Sequence, residues 1–453
     1  MSRRRRPLPE HPVEVDVESL SHDGRGLGHV DGKAVFIDGA LAGERVSARY
    51  TRLQRHYDEA RVLEVLRAAP ERTPPRCPHF GVCGGCRLQH LAGDAQVRFK
   101  QGILQDVLAR LGKVAPENWL APLAGGPWGY RRKARLGVRF VRKKGRVLVG
   151  FRERGTSLVT DLTRCDILHP DCGAQLPAIA AALQDLGIRE RVPQVELAIG
   201  EGPAVLVFRV LESPSPGDVA RLERLAAETG LHVYLQEGGI ETIRPLPRQE
   251  VTLRYTLPHH GVHIDFEPAD FTQVNLELNR LMVDQALALL DPQPDERVLD
   301  LFCGLGNFTL PLARRAAGVL GIEADSGLVA RARRNAERNH LANARFEVAD
   351  LYGEAALSSW PQQGRFEKAL LDPPRTGALE VLEWLPRLGV ERLVYVSCYP
   401  ATLARDADRL VHGLGYRLVA AGAMDMFPHT AHIEAMALFE RAGPHRAPAD
   451  GAA

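Results

Sequence analysis

The sequence of 453 residues predicts an α/β protein. Its C-terminal part is expected to form a doubly wound parallel sheet, preceded by a small OB-like β-barrel and a central mixed α/β region. Two observations predict this architecture. Short alternating runs separated by turn signals fill the first 66 residues. From about residue 261, apolar strands alternate with helical stretches, which indicates βαβ units. The predicted domains are 1–66, 67–260 and 261–441, followed by a disordered tail at 442–453.

Three segments predict the barrel. VEVDV alternates, HVDGKAVFI places an Asp-Gly turn between apolar runs, and ERVSARYTRL alternates again. Barrels of this size often bind oligonucleotides, although they also serve as scaffolds. The proline-rich stretch from Ala69 to Pro78 indicates the boundary with the next domain.

Composition places the chain among soluble globular proteins. Apolar residues make up 45% and charged residues 25%, and no apolar run approaches the ~18 residues of a membrane span. The N-terminus, MSRRRRPLPE, lacks the apolar core of a secretory signal, so we expect a cytoplasmic protein with no membrane partner. In a reducing compartment, clustered cysteines favour metal binding or catalysis over disulfides. A monomer is the default expectation.

Basic residues are concentrated in one segment of the chain. Between Arg131 and Arg154 there are 11 Lys or Arg residues and one acid, Glu153. A solvated surface would normally mix both signs of charge, so the segment favours contact with phosphates of a nucleic acid.

A glycine turn predicts a nucleoside-binding pocket. VLDLFCGLGNFTLPLA reads as a strand, a turn at Gly304 and Gly306, and a helix over Thr309–Ala317. Glu323, at the end of the next strand, can accept hydrogen bonds from both ribose hydroxyls. The turn lacks a full GxGxxG and no Lys-Ser/Thr follows, so a dinucleotide or a triphosphate fits less well. The identity of the nucleoside ligand therefore stays open at this point.

The stretch LLDPPRTG places Asp372 at the tip of the fourth strand, where prolines stiffen the loop. An acid there can bind a planar base, and the alternative is a helix N-cap. With the glycine turn and the ribose acid, this stretch resembles the class I S-adenosylmethionine-dependent methyltransferases.

Cys398 in VYVSCYPATLARD closes the fifth strand, so it should face the same crevice as Asp372. It could be a nucleophile, a metal ligand or a core residue. A thiolate that adds to C6 of a uracil makes C5 nucleophilic enough to attack a sulfonium methyl group. The C5 proton must then leave, which requires a base. Glu434, near the start of the last strand, is the candidate base, and His429 and His432 are alternatives. The non-catalytic alternative for Glu434 is a salt-bridged residue at the edge of the sheet.

Four stretches, SCYPATLARD, HIEAMALF, LLDPPR and FTQVN, together resemble the RNA (uracil-5-)-methyltransferase family. The resemblance implies that Cys398 is the nucleophile and Glu434 the base. It also implies an S-adenosylmethionine pocket lined by Gln273, Phe302, Asn307, Glu323, Asp350 and Asp372. RNA cytosine-5 methyltransferases are the nearest competitor, but they carry a second cysteine in the loop that corresponds to DPPR.

CPHFGVCGGCRLQH contains Cys77, Cys83 and Cys86 within ten residues, which indicates a metal centre. Cys165 or Cys172 could supply a fourth ligand. A triplet with a distant single cysteine favours an iron–sulfur cluster over zinc. In the resembled family CGGCxLQH binds a [4Fe–4S] cluster with the fourth ligand in a segment like LVTDLTRCDILHP. This resemblance selects Cys165. The spacing of radical S-adenosylmethionine enzymes is absent.

The segment DGRGLGHVDGKAVFIDGALAGE resembles a TRAM domain. Together with the cysteines, it is similar to family members that act on 23S rRNA. The implied function is S-adenosylmethionine-dependent C5-methylation of a specific uridine in 23S rRNA. Another 23S rRNA site or tRNA is the enzymatic alternative. A non-catalytic rRNA-binding assembly factor is disfavoured because a decayed site should have lost Cys398, Glu434, Asp372 or the glycine turn. DNA is not an expected partner.

Overall fold

The computed structural model describes residues 7–353 and 364–442. Its N-terminal part is a six-stranded sheet. The strands are β1 Val13–Asp16, β2 Ser19–Leu20, β3 Gly26–Val30, β4 Lys33–Asp38, β5 Arg45–Leu53 and β6 Tyr57–Arg67. Their order is β1-β5-β6-β4-β3-β2, and all pairs are antiparallel except β4 with β6.

This sheet curls into a barrel. Its two edge strands, β1 and β2, follow each other within residues 13–20, so the chain itself joins the two edges. A Cβ at Gly28 of β3 would lie 2.5 Å from the carbonyl oxygen of Asp16, which shows how closely β1 approaches β3. Val15, Val35 and Ile37 are buried in the apolar core of this barrel. The predicted barrel is confirmed.

The middle of the chain holds a second six-stranded sheet with helices on it. In chain order, the helices and strands of this middle segment are α1 Gly93–Arg110, β7 Asn118–Trp119, β8 Lys133–Val141, β9 Arg146–Gly150, α2 Pro170–Gly173, α3 Leu176–Gln184, β10 Gln194–Ile199, β11 Ala204–Arg209, α4 Pro216–Thr229, β12 His232–Gln236 and β13 Arg244–Pro245. The sheet order is β13-β12-β11-β10-β8-β9. Single 3₁₀ turns lie at Arg142–Lys144, Arg189–Arg191, Ile240–Thr242 and Pro258–His260. A hairpin of β14 Leu253–Leu257 and β15 Val262–Phe266 leads to the last unit.

The C-terminal unit is an eight-stranded sheet. Its elements are α5 Leu276–Leu290, β16 Arg297–Leu301, α6 Thr309–Ala313, β17 Gly318–Glu323, α7 Ser326–Arg338, β18 Ala344–Val348, β19 Lys368–Leu371, α8 Leu379–Leu382, β20 Arg392–Ser397, α9 Pro400–Asp408, a π turn at Arg409–Gly413, β21 Tyr416–Met424 and β22 Glu434–Arg441. The order is β18-β17-β16-β19-β20-β22-β21-β7. Strands β16 to β20 are mutually parallel and β22 is antiparallel to both neighbours. This is the class I methyltransferase arrangement, as predicted.

Two elements from the middle of the chain belong to this C-terminal sheet. Strand β7 pairs with β21, and Leu104 and Leu108 of α1 are buried in the core beneath the sheet. Residues 93–123, which follow the cysteine triplet, therefore pack against the C-terminal unit. This crossing was not predicted from the sequence.

The helix after the glycine turn is shorter than the predicted Thr309–Ala317, because α6 ends at Ala313. The amide of Arg315 donates to the carbonyl of Leu312, and that of Ala317 donates to Glu296, so the chain leaves the helix to begin β17. Residues 443–453 of the predicted tail lie outside the described residues. Within the described ranges no helix is long and apolar enough to cross a membrane.

Candidate active site

A cavity of about 510 Å³ lies where five parallel strands end. Each of these strands contributes a residue at or just past its carboxyl end, the position where α/β sheets bind ligands. The cavity is lined by every residue predicted for catalysis or cofactor binding: Gln273, Phe302, Asn307, Glu323, Asp350, Asp372, Cys398 and Glu434. The structure thus brings together side chains from residue 273 to residue 434.

The turn after β16 is held in a conformation that few residues adopt. Gly304 and Gly306 have φ of 53° and 90°, and Phe302 has φ of 64° although it carries a side chain. Beneath the turn, Asp300 is buried and its carboxylate accepts a hydrogen bond from Thr309 at 2.5 Å. These contacts hold the turn that forms part of the cavity wall through Gly304 and Leu305.

Glu323 and Asn307 are already oriented by protein contacts. The Glu323 carboxylate accepts hydrogen bonds from the backbone amides of Ala324 at 2.8 Å and Gly304 at 3.2 Å. The side-chain oxygen of Asn307 accepts from the hydroxyl of Tyr255 at 2.9 Å. A carboxylate has further lone pairs, so Glu323 can also accept from ribose hydroxyls.

Asp372 follows β19 and is not a helix cap. Helix α8 begins at Leu379, and the amide of the preceding residue, Ala378, donates to Asp406 at 2.7 Å. Burial raises the pKa of Asp372 to about 7. Such a carboxyl can exchange a proton or accept a hydrogen bond near neutral pH.

Cys398 follows β20 and is half-buried at the cavity wall. Burial is the main cause that raises its thiol pKa, followed by the charges of Glu434 and Asp372, whereas Arg375 opposes the shift. A bound cation would therefore favour the thiolate, which is the nucleophilic form.

Glu434 is the first residue of β22, an interior strand paired on both sides. The residue is 5% exposed and forms no ion pair with described residues. Burial, with the charge of Asp372, raises its pKa to about 8, and Lys100 acts in the opposite direction. The salt-bridged edge interpretation is therefore wrong, because the strand is not an edge.

The two histidines considered as alternative bases lie outside the cavity lining. His429 stacks on Trp128 with ring centroids 4.0 Å apart, and burial lowers its pKa to about 4. His432 lies beside Phe427 and Arg375, and burial also lowers its pKa. Neither faces the described cavity as Glu434 does.

A second, smaller cavity is lined by Cys77, Cys83, Cys86 and Cys165. All four are free thiols, and burial raises the pKa of Cys86 to about 12 and that of Cys165 to about 11. Cys172 is a buried free thiol that does not line this cavity. Within 7–353 and 364–442, no three His, Cys, Asp or Glu side chains form a group that could hold a metal ion as they stand.

The basic segment divides into internal and external residues. Arg154 is bound to Asp38 and to the carbonyl of Cys86, and Lys133 donates to the carbonyl of Pro268. On the β8–β9 hairpin, Arg142 pairs with Glu190. Four exposed members make no side-chain hydrogen bond or ion pair with the described residues: Arg139, Lys143, Lys144 and Arg152. We call these four the basic hairpin surface, although Arg152 lies two residues past the end of β9.

Several residues of the main cavity were not predicted from the sequence. Tyr255, Phe271, Cys303, Tyr352 and Arg375 also line it. Phe271 and Arg375 lie in FTQVN and DPPR, two stretches on which the family resemblance rests, so the sequence could have indicated that they line the cavity. Tyr255 and Tyr352 reach the cavity through tertiary packing that no local pattern records.

Comparison with known proteins agrees with this geometry. A family model described as tRNA (Uracil-5-)-methyltransferase matches residues 245–442, and a TRAM domain model matches residues 12–63. A relative from Methylococcus capsulatus is 53% identical over 439 residues, covering 97% of this chain and 99% of the relative. One from Alkalilimnicola ehrlichii is 55% identical over 445 residues, with coverage of 97% and 99%. Both are named 23S rRNA (uracil(1939)-C(5))-methyltransferase RlmD.

Among solved structures, the Pyrococcus abyssi tRNA (uracil-54, C5)-methyltransferase in complex with S-adenosyl-L-homocysteine is similar in fold. It has a TM-score of 0.71 and 23% identity, covering 94% of this chain and 100% of that chain. Identity across nearly the whole length of the curated relatives shows more than the fold. The chain therefore belongs to the RNA (uracil-5-)-methyltransferase family.

Proposed function

We propose that the protein transfers the methyl group of S-adenosylmethionine to C5 of a uridine in 23S rRNA, with Cys398 as nucleophile and Glu434 as base. One observation carries the proposal: both side chains line the same cavity as the six predicted cofactor residues. The relatives above add the substrate, since their shared name specifies 23S rRNA and the uridine at position 1939.

The proposed reaction has three steps: addition, methyl transfer and elimination. The Cys398 thiolate adds to C6 of the uracil, and the electron pair of the C5–C6 bond moves toward C5. C5 then takes the methyl group from the sulfonium sulfur, which leaves S-adenosylhomocysteine. Glu434 accepts the C5 proton, the C5–C6 double bond re-forms, and the thiolate leaves.

The charges of the cavity support this order of events. Asp372, Glu434 and Cys398 each have a raised pKa because burial disfavours their anions. A bound sulfonium cation would place a positive charge beside them. It would therefore favour the thiolate and the carboxylate that the reaction needs.

Two competing functions fit less well. A tRNA substrate is named by the family model that matches residues 245–442 and by a structure at 23% identity, whereas relatives more than 50% identical over nearly the whole chain name 23S rRNA. A non-catalytic assembly factor would not need Cys398 and Glu434 at one cavity with a cofactor pocket.

The test is to map 5-methyluridine in 23S rRNA that has been treated with S-adenosylmethionine and either the wild-type protein or Cys398→Ala. We expect the modification with the wild type only, while both proteins bind S-adenosylhomocysteine. Cys172→Ala, which removes a buried thiol away from the cavity, serves as the control and should methylate. Methylation by Cys398→Ala would contradict the proposed nucleophile.

We also propose that Cys77, Cys83, Cys86 and Cys165 hold a [4Fe–4S] cluster. They line one cavity, and no disulfide consumes them. Zinc bonds of about 2.3 Å require four sulfurs in close contact, whereas a polynuclear cluster spans a wider set of thiols. The four thiols that share this cavity form an all-sulfur donor set, which fits such a cluster. When bound, the cluster would supply a structural cross-link between the triplet and Cys165.

An anaerobic preparation should contain iron and sulfide in equal amounts, near four of each per chain. Cys165→Ser should lose them, whereas Cys172→Ser should retain them. Stoichiometric zinc in the wild type would contradict the cluster, and loss in both variants would contradict the choice of Cys165.

A further inference from the structure

Helix α1 reaches across to the loop that carries the proposed base. Gln96 and Lys100, one helical turn apart, are 2% and 1% exposed. The Gln96 side chain accepts a hydrogen bond from the amide of His429 at 2.8 Å. The Lys100 ammonium donates to the carbonyl of Phe427 at 2.9 Å. Both residues thereby hold the loop 425–433, which ends at Glu434.

Lys100 also forms a buried ion pair. Its Nζ lies 2.5 Å from Oδ1 of Asp425, which is 7% exposed. Asp425 follows Met424, and Met424 is the direct partner of Glu434 across the β21–β22 pair. A buried ion pair contributes little net stability, so its position beside the proposed base calls for another explanation.

The groups around Glu434 come from several elements. They are Asp372 after β19, Cys398 after β20, Asp425 after β21 and Lys100 of α1, with Arg375, His429 and His432 on the adjoining loops. Asp372 disfavours the Glu434 anion, whereas Lys100 favours it. Of the two charged groups that shift the pKa of Glu434, Asp372 and Lys100, Lys100 is the cation.

We propose that Lys100 is a positioning residue for the base: it fixes the loop 425–433 through Asp425 and Phe427, and its charge favours the ionised carboxylate of Glu434. The inference rests on the proposed function. It assigns a role in the reaction to a helix that begins only seven residues after Cys86. Lys100 itself does not line the described cavity, so it acts through Glu434.

The test compares the pH dependence of single-turnover methylation in paired variants. Lys100→Met with Asp425→Asn removes the pair without leaving a buried lone charge. We expect the midpoint of the pH–rate curve to rise by about one pH unit, so that the rate at pH 7 falls about tenfold and recovers at alkaline pH. S-adenosylhomocysteine binding should persist.

A matched control removes another buried lysine pair. Lys368 lies 2.7 Å from Glu296 and is 8% exposed, at the opposite ends of the strands from the cavity. Lys368→Met with Glu296→Gln should leave the midpoint unchanged. Lys100→Arg, which keeps the positive charge, should also leave the midpoint of the pH–rate curve unchanged. Lys100→Gln with Asp425→Asn provides a second neutral pair if the Met pair does not fold.

Two results would overturn the inference. One is a folded neutral variant whose pH–rate curve superimposes on that of the wild type. The other is a rate that falls equally at every pH, which a purely structural role would produce. If the wild-type protein does not methylate uridine at all, the proposed function fails instead, so the two failures are distinguishable.

Discussion

The hydroxyl of Tyr255 donates a hydrogen bond of 2.9 Å to the side-chain oxygen of Asn307, joining the β14–β15 hairpin to the glycine turn of the cavity. Tyr255→Phe removes this bond and leaves Asn307 held by its two reciprocal hydrogen bonds with Asn279 alone. A neutral hydrogen bond contributes about 1 kcal/mol, so we expect about fivefold weaker S-adenosylhomocysteine binding by calorimetry.

Tyr416→Phe is the matched control for that change. The Tyr416 hydroxyl donates to the carbonyl of Val390 at 2.7 Å, away from the cavity lining. It should lower the melting temperature to a similar extent without altering binding. Equal binding losses in both variants would show that Tyr255 acts through general stability alone.

The buried acids of the cavity predict how stability depends on pH. Glu434 has a folded-state pKa of about 8, raised by burial from an ordinary value of about 4.5. The folded state therefore holds the proton more tightly than the unfolded state, so the stabilisation is complete below about pH 4.5 and is lost as the pH rises through about 8. Asp372, at about 7, acts in the same direction.

Urea unfolding of the ligand-free protein between pH 5 and pH 8.5 measures this effect. We expect the free energy of unfolding to fall with pH by on the order of a few kcal/mol. Glu434→Gln should flatten the curve and make the protein relatively more stable at pH 8.5. A variant curve parallel to that of the wild type would contradict the assignment of the raised pKa to Glu434.

The basic hairpin surface predicts a salt-dependent contact with RNA. Replacing Arg139, Lys143, Lys144 and Arg152 by Gln should weaken binding to a 23S rRNA fragment. The slope of log affinity against log salt concentration should drop by about one for each lost phosphate contact. The matched comparison sets Lys143→Gln with Lys144→Gln against Arg142→Gln with Arg146→Gln, two charges each, because the Arg142 and Arg146 side chains are paired with Glu190 and Asp161.

Filter binding across a salt series checks this expectation. If the paired and unpaired sets lower the affinity equally, net charge rather than this surface governs RNA binding. If neither set changes the affinity, RNA contacts other parts of the protein.

Strand order and strand ends explain why so much of the site could be predicted. Glu323, Asp372 and Cys398 each stand at or just after a strand, and parallel strands bring such positions to one edge. Glu434 was predicted at the start of the last strand, and the structure places it there. Period and turn signals therefore located these residues without knowledge of their partners.

Other features depend on packing between distant segments, which no local pattern records. Strand β7 joins a sheet whose other strands begin nearly 180 residues later. Lys100 reads as an ordinary surface lysine on a helix, yet its ammonium is buried against Asp425. The basic segment also looked uniform, although Arg154 turned out to be an internal ion-pair partner of Asp38.

The central claim is a covalent bond between Cys398 and C6 of a uracil, and Glu434→Gln allows it to be seen directly. Without the base, the methylated adduct cannot release its C5 proton, so protein and RNA should remain joined on a denaturing gel. Glu440→Gln, which alters another glutamate of β22, is the control and should leave no adduct. The decisive measurement is mass spectrometry of the nuclease- and protease-digested Glu434→Gln complex. We expect a methylated uridine on the Cys398 sulfur. Free 5-methyluridine without any adduct, or an adduct on another residue, would contradict it.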